Sequence, residues 1–179
     1  MTHAEYGLLL REIHSALYRG VFAVMYGCGL RISEAVALKP ADVDKQHHTL
    51  RVIGKGNKER LVPLTQGLLQ DLRKIWTEHR CCEWLFPNRS RTDHIQADNV
   101  ERLFRTLRRE LGLGESLTPH SLRHGFATRL FEQNMSAEAI AILMGHEDVK
   151  TTKRYLHLTE AVREQVQEAT ASFYVPLFD

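Results

Sequence analysis

Residues 49–64, TLRVIGKGNKERLVPL, carry the clearest signal for β-structure in this chain. The segment Thr49–Ile53 and residues 60–64 are both rich in β-branched and apolar side chains, a composition typical of strands. The glycine-containing residues 54–57 lie between them and predict a turn. Pro63 has no N–H to donate to a neighbour, which favours an edge position. The stretch therefore predicts an antiparallel hairpin with a basic tip.

The flanking sequence predicts helices. Upstream, apolar residues follow helical spacing over 4–28, and a short helix is expected over 32–38, before Pro40. Downstream, apolar residues again follow helical spacing, with Thr, Ser or Pro at several starts and Gly after several ends. These signals predict helices over 65–80, 96–111, 119–132, 137–144, 148–155 and 159–169. The predicted fold class is mainly α with a small antiparallel sheet (α+β).

Composition limits the class of protein. The 179 residues are 43% hydrophobic and 26% charged, as in a globular protein, and no repeat or linker divides them, so we predict a single domain over 1–179. No apolar run approaches the ~20 residues of a membrane span. The N-terminus lacks the features of a secretory signal, and the three cysteines include the adjacent pair Cys81–Cys82, which does not suggest disulfides. A cytoplasmic protein is expected.

Positive charge is clustered rather than abundant. Lys and Arg total 24 against 22 Asp and Glu, which gives a net charge of only +2. Residues 102–109 nevertheless hold four arginines, and residues 51–60 hold four basic residues against one acid. Such clusters are compatible with a local polyanion site. Ordinary solvated faces would explain them as well.

Several polar residues suit attack on a phosphodiester without a metal ion. Guanidinium groups such as those of Arg31 and Arg123 match phosphate oxygens bidentately and keep their charge. His120 stands three residues before Arg123, on the same face at the start of a predicted helix. A tyrosine becomes a nucleophile when its proton is accepted, and a lysine on a hairpin is able to protonate a leaving oxygen. Taken singly, each of these residues is a weak signal.

Two boxes in the first half of the chain resemble those of a known family, the tyrosine recombinases, which include phage integrases and the Xer-type resolvases. Residues 26–44, YGCGLRISEAVALKPADVD, are similar to the family's first box, with Arg31 as its first catalytic arginine. Residues 52–64, VIGKGNKERLVPL, are similar to its catalytic hairpin, with Lys55 at the lysine position. The resemblance implies the fold of the recombinase catalytic domain.

Two further boxes follow in the same order. Residues 118–128, TPHSLRHGFAT, resemble the H-x-L-R-H box and supply His120 and Arg123. Residues 143–157, LMGHEDVKTTKRYLH, resemble the final box and supply His146 and, nine residues later, Tyr155. All six positions are filled without substitution, and the match spans residues 20–160.

The resemblance implies a site-specific recombinase or integrase that cuts and rejoins double-stranded DNA without metal or cofactor. Tyr155 would attack a phosphate and form a 3′-phosphotyrosyl link, Lys55 would protonate the departing 5′ oxygen, and His120 and His146 would assist. The match also implies supporting roles for Glu34 and His124. The expected DNA-binding residues are Lys58, Arg60, Arg105 and Arg109.

Other interpretations remain open at this point. A DNA-binding regulator that keeps the fold without recombining is the main alternative, and relaxation of supercoils by the same chemistry is another. Tyr18, Tyr26 and Tyr174 are rival nucleophiles on chemistry alone. A zinc site at His79, Cys81 and Cys82 is not expected, because no second pair of ligands stands at metal spacing.

Members of the family carry a DNA-clamping domain before the first box, and only 30 residues precede Arg31 here. We expect that domain to be absent, in a catalytic fragment or a minimal recombinase. The resemblance also implies a homo-oligomer, a tetramer on DNA, formed from a protein that is monomeric when free. The tail SFYVPLFD, residues 172–179, is apolar enough that it is expected to dock on its own chain, with exchange to a neighbour on DNA.

Overall fold

The computed structural model describes residues 1–145 and 160–178. This part of the chain contains eight α-helices and one three-stranded antiparallel sheet, which confirms the predicted fold class. The helices are α1 His3–Arg11, α2 Ala16–Gly27, α3 Ile32–Val36, α4 Gln66–His79, α5 Ala97–Glu110, α6 His120–Glu132, α7 Ala137–Met144 and α8 Glu160–Ala171. The helix predicted over 148–155 lies outside the described residues.

The sheet is built around the predicted hairpin. Its strands are β1 Val43–Asp44, β2 Thr49–Ile53 and β3 Glu59–Pro63, in the order β1-β2-β3. Strand β3 is at the edge, as Pro63 predicts, and Lys55–Asn57 forms a single 3-10 turn at the tip. The short strand β1 was not predicted.

Register places one face of the hairpin on the core. Leu50 pairs with Val62, and Val52 pairs with Arg60. Leu50, Val52 and Val62 are buried, whereas the residues that alternate with them nearer the tip, Arg51, Ile53, Glu59 and Leu61, are exposed. Arg60 therefore shares the inward face of β3 with Val62.

Helix α2 is the centre of the core and fixes the geometry of the site. Every residue from Gly20 to Tyr26 is buried, and the helix packs against α3, α4 and α6. The chain leaves α2 at Gly27 and turns directly into α3, whose N-cap is Arg31. Helix α6, which carries Arg123, lies against α2, so the two arginines of the separate boxes are brought to the same end of this core.

The C-terminal tail packs on its own chain, as expected. Phe173 and Leu177 are buried after α8. The Asp71 carboxylate of α4 accepts a hydrogen bond from the Tyr174 hydroxyl and another, at 2.9 Å, from the Leu177 N–H. Arg19 of α2 donates to the Leu177 carbonyl. The end of the chain is thus held by both apolar burial and polar contacts.

None of the helices in the described ranges has the length and apolar character needed to cross a membrane.

Candidate active site

Arg31 and Glu34 form the first half of the site. Arg31 caps α3, and Glu34, one turn later, reaches back to it. The backbone N–H of Arg31 donates to Oε2 of Glu34 at 2.8 Å, and its Nη1 donates to Oε1 at 2.9 Å. The Arg31 side chain remains 39% exposed, so part of its guanidinium faces solvent.

Arg123 lies beside this pair. Its side chain is only 2% exposed, and its Nη1 is 3.8 Å from Oε2 of Glu34. Its two terminal nitrogens donate to the carbonyls of Gly29 and Met144. Burial, together with the positive charges of Arg31 and Arg60, lowers the pKa of Arg123 to about 10, although Glu34 acts in the opposite direction. The group therefore keeps its charge at neutral pH.

Arg60 completes the group from an inward position on β3. We expected Arg60 at the DNA-binding surface, but its side chain is only 10% exposed and its guanidinium forms a bidentate ion pair with Glu34. Nη1 lies 3.0 Å from Oε1 and Nη2 lies 2.7 Å from Oε2. The alternation of β3 was the available signal, because a residue two positions from buried Val62 must share its face.

The electrostatic balance of this cluster is positive. Burial alone would raise the pKa of Glu34, but hydrogen bonds from Arg60 and Arg31 outweigh it and hold the pKa below its ordinary value. Glu34 is thus ionised at neutral pH among three guanidinium groups, which leaves two positive charges in excess. Such a cluster, partly open at Arg31, is suited to bind a phosphate and to stabilise extra negative charge on it.

The remaining described members of the predicted site lie on α6 and on the hairpin. His120 is the first residue of α6 and is exposed, and His124 is exposed one turn later. Lys55 begins the 3-10 turn at the hairpin tip. A Cβ atom built on its neighbour Gly54 would lie 3.4 Å from Oε1 of Glu34, so the hairpin leaves the arginine cluster just before Lys55.

Three of the four expected DNA-binding residues are at the surface. Lys58 is exposed beside the hairpin tip. Arg105 and Arg109 are exposed on α5, four residues apart and therefore on one face. His146 and Tyr155, the last two expected catalytic residues, lie outside the described residues.

Two of the three rival tyrosines lie in surroundings that oppose loss of the phenolic proton. Tyr26 is 1% exposed, and its ring stacks on Tyr6 at 3.8 Å between centroids. Burial raises the pKa of Tyr26, and burial with the hydrogen bond to Asp71 raises that of Tyr174. Both shifts oppose formation of a phenolate. Tyr18 is half-buried on α2.

The candidate zinc ligand His79 has both ring nitrogens engaged. Nδ1 accepts a hydrogen bond from the Cys81 N–H at 3.0 Å, and Nε2 lies 3.2 Å from the Leu85 carbonyl. Among the residues that the structure describes, no group of three or more metal-ligating side chains comes together.

Comparison with known proteins agrees with this architecture. The model of the phage integrase family matches residues 1–161. Tyrosine recombinase XerC of Chlamydia trachomatis is 35% identical over 161 residues, which cover 85% of this chain and 50% of that protein. The chain thus spans about half the length of the curated relatives it matches.

Solved structures share the fold. The XerA recombinase superimposes with a TM-score of 0.74 at 26% identity, over 94% of this chain and 63% of that one. The Tn1549 transposon integrase in complex with circular intermediate DNA gives a TM-score of 0.68 at 21% identity, over 90% of this chain and 61% of that one. These structures confirm the expected fold of the tyrosine recombinase catalytic domain. The family model matches most of this chain, and the two box arginines lie beside the same carboxylate. This chain therefore belongs to the phage integrase family.

Proposed function

We propose that this chain is the catalytic part of a site-specific recombinase that breaks and rejoins double-stranded DNA through a phosphotyrosyl intermediate. The observation that supports this proposal is the arrangement of Arg31, Arg60 and Arg123 around Glu34, with two positive charges in excess. A phosphodiester gains negative charge at its non-bridging oxygens during attack. Fixed guanidinium groups at that point stabilise the transition state more than the ground state, which is what accelerates the reaction.

The proposed chemistry is an exchange of one P–O bond for another. The hydroxyl oxygen of Tyr155 bonds to phosphorus, and the bond from phosphorus to the 5′ oxygen of the next nucleotide breaks. His120 assists removal of the tyrosine proton, Lys55 gives a proton to the departing 5′ oxygen, and His146 hydrogen-bonds the phosphate. Since the new bond is also a phosphodiester, the reverse step on another strand needs no ATP. Neither a metal nor a cofactor takes part in these steps.

The proposed DNA contacts come from exposed cations away from the cluster. Lys58 at the hairpin and the pair Arg105 and Arg109 on α5 are free of the ion pairs that hold Arg60 and Arg123. Phosphate contacts from such side chains give affinity and position without reading sequence. We further propose that the protein acts as a tetramer on DNA and is monomeric when free.

The test uses nicked suicide duplexes that carry inverted-repeat sequences taken from the DNA flanking the gene. Cleavage beside the nick releases a short fragment, so the tyrosine adduct accumulates and is counted on a denaturing gel. Wild-type protein is expected to form the adduct, and Tyr155→Phe is expected to form none while binding DNA within a factor of about three, because only one hydroxyl is lost. Tyr18→Phe removes a hydroxyl elsewhere and is the matched control.

The outcomes separate the two classes of function. An adduct that persists in Tyr155→Phe would reject the assigned nucleophile. Sequence-specific binding by the wild type, without adduct on any nicked duplex, would favour a DNA-binding regulator on the same fold.

A further inference from the structure

Arg60 occupies half of the hydrogen-bonding capacity of Glu34. A carboxylate has about four acceptor positions on its two oxygens. Arg31 fills two of them, with its backbone N–H and Nη1 at 2.8 and 2.9 Å. Arg60 fills the other two, with Nη1 and Nη2 at 3.0 and 2.7 Å. The carboxylate is therefore saturated by these two arginines.

The saturation affects Arg123 most directly. Its Nη1 stays 3.8 Å from Glu34, which is beyond hydrogen-bond distance, and its two terminal nitrogens donate to backbone carbonyls instead. Without the fork of Arg60, the two released acceptor positions of Glu34 would be open to Arg31 and Arg123. An ion pair of that kind would compete with a phosphate for both arginines. Loss of Arg60 would also cut the excess positive charge from two to one.

A second contact connects Arg60 to the end of α7. Its Nε donates to the Leu143 carbonyl at 2.8 Å, next to the Met144 carbonyl that Arg123 binds. A Cβ atom built on Gly145, which ends the helix at φ +63°, would lie 3.2 to 3.4 Å from the Arg60 side chain. Arg60 thus covers the residue immediately before His146.

We propose that Arg60 is a positioning residue for phosphoryl transfer. It saturates Glu34 so that Arg123 and the remaining N–H groups of Arg31 are left to the phosphate, and it fixes the end of α7, which the segment with His146 and Tyr155 follows in the chain. This inference rests on the proposed function. It differs from a DNA contact, because the Arg60 side chain is 10% exposed and paired within the chain.

The test compares Arg60→Met and Arg60→Lys with Arg51→Met. Arg51 lies on the adjacent strand and makes a similar ion pair with Asp42, at 2.8 Å, away from the cluster, so it is a matched control. Single-turnover cleavage of a nicked duplex is measured at saturating DNA, with DNA affinity measured separately. Arg60→Met is expected to cleave about 10- to 100-fold more slowly, with DNA affinity within about threefold, since misplaced groups reduce rate more than binding. Arg60→Lys keeps the charge but loses the two-pronged guanidinium contact, and its cleavage rate is expected to fall between those of the wild type and Arg60→Met.

A double variant tests the route through Glu34. If Arg60 acts by holding that carboxylate, the double variant Glu34→Gln with Arg60→Met will be slower than the wild type by less than the product of the two single fold-effects. Fully multiplicative effects would overturn this route. If Arg60→Lys cleaves at the wild-type rate, the two-pronged guanidinium contact with Glu34 is not required and the proposal is rejected. The rate of Arg60→Lys is the deciding measurement if Arg60→Met does not fold.

Binding of inorganic phosphate, followed by the shift in melting temperature, gives a readout that does not depend on cleavage. Arg60→Met is expected to bind phosphate several-fold more weakly than the wild type and Arg51→Met. If the wild type forms no adduct but this difference is found, the proposed function fails and the role of Arg60 in the anion site stands. If the wild type cleaves DNA and Arg60→Met matches it in both assays, the role of Arg60 is rejected and the proposed function stands.

Discussion

The guanidinium of Arg123 donates to the carbonyl of Gly29, 94 residues earlier in the chain. This hydrogen bond joins α6 to the loop that leads into Arg31. Gly29 has φ +65°, a conformation that favours glycine, and a Cβ atom there would lie 2.4 Å from Phe126 on α6. The backbone at Gly29 and the side chains of α6 are therefore in direct contact at the site.

Gly29→Ala is expected to destabilise the protein and to slow cleavage. The methyl group must displace Phe126, three residues from Arg123 on the same helix, and overpacking of this kind costs about 1–3 kcal/mol beyond the backbone strain. Gly112→Ala is the matched control, since Gly112 has φ +62° with nothing within 4 Å of the added Cβ. Urea unfolding of both variants measures the difference. Equal losses of stability would contradict the close contact.

Removal of either box arginine is expected to slow cleavage by ~10²-fold or more, since each supplies a charge-assisted donor to the transition state. Arg31→Ala and Arg123→Ala are compared with Arg11→Ala, an exposed arginine at the end of α1. Single-turnover cleavage is the measurement. EDTA is expected to leave the wild-type rate unchanged, and activity lost in EDTA but restored by magnesium would indicate a different chemistry.

The ionised form of Glu34 is expected to stabilise the fold. Its pKa in the folded protein lies below the ordinary value of 4.5, so this contribution is present above about pH 4.5 and is lost as pH falls through the lowered pKa. Glu34→Gln at pH 7 leaves buried guanidinium groups without their counter-charge, at a cost of about 3–5 kcal/mol. Urea unfolding from pH 7 to pH 3 is expected to show the difference from the wild type shrinking. Glu59→Gln, at an exposed position of the hairpin, is the control, and a difference that grows as pH falls would refute the argument.

DNA affinity is expected to fall steeply with salt, because phosphate contacts release counterions. Lys58→Ala and Arg105→Ala are each expected to reduce the slope of log Kd against log salt by about one. Lys45→Ala is the control, since Lys45 is exposed in the turn at the opposite end of the sheet from the hairpin tip. Unchanged slopes for the first two variants would place the DNA elsewhere.

The tail is expected to stabilise the fold in the free monomer. Leu177 is 1% exposed, and Leu177→Ala removes a buried side chain at a cost of about 2–5 kcal/mol. Phe178→Ala is expected to cost less, since that ring is half-buried and lies over the charged groups of Arg19 and Lys74.

Deletion of residues 171–179 is expected to impair strand exchange more than cleavage. Equal exchange by the truncated and full-length chains would show that the tail does not act in assembly.

The elements with regular patterns were predictable from sequence. The strand Thr49–Ile53 and the helix Ala137–Met144 were predicted with their observed bounds, because β-branched alternation and the cap Ser136 with Gly145 are local signals. Strand β1 was missed because two residues are too few for an alternation to be recognised. The helical spacing over 4–28 did not show where one helix ends and the next begins: the structure has a break at residues 12–15 between α1 and α2, with Ser15 as the N-cap of α2.

The candidate site likewise contains residues that sequence motifs identified and one residue whose position they did not predict. The family boxes identified Arg31, Glu34 and Arg123, which the structure brings together. The inward direction of Arg60 was missed because its charge suggested the surface, although its place two residues before Val62 in β3 indicates the inward face, and its pairing with Val52 agrees. A contact such as that between Arg60 and Leu143, 83 residues apart, has no local sequence signal.

These long separations have a consequence for how the protein is made. The carbonyls at the end of α7 are held by Arg60 and Arg123, and the Leu177 carbonyl is held by Arg19, 158 residues before it. Contacts between distant parts of a chain form late, because long loops must close first. On the ribosome, α7 cannot acquire these partners until synthesis has passed residue 145, and residues 173–178 cannot close on α2 and α4 until they have emerged. The contacts that join the arginine cluster to the end of α7 therefore form late in folding, after the hairpin, α3 and α6 have been synthesised.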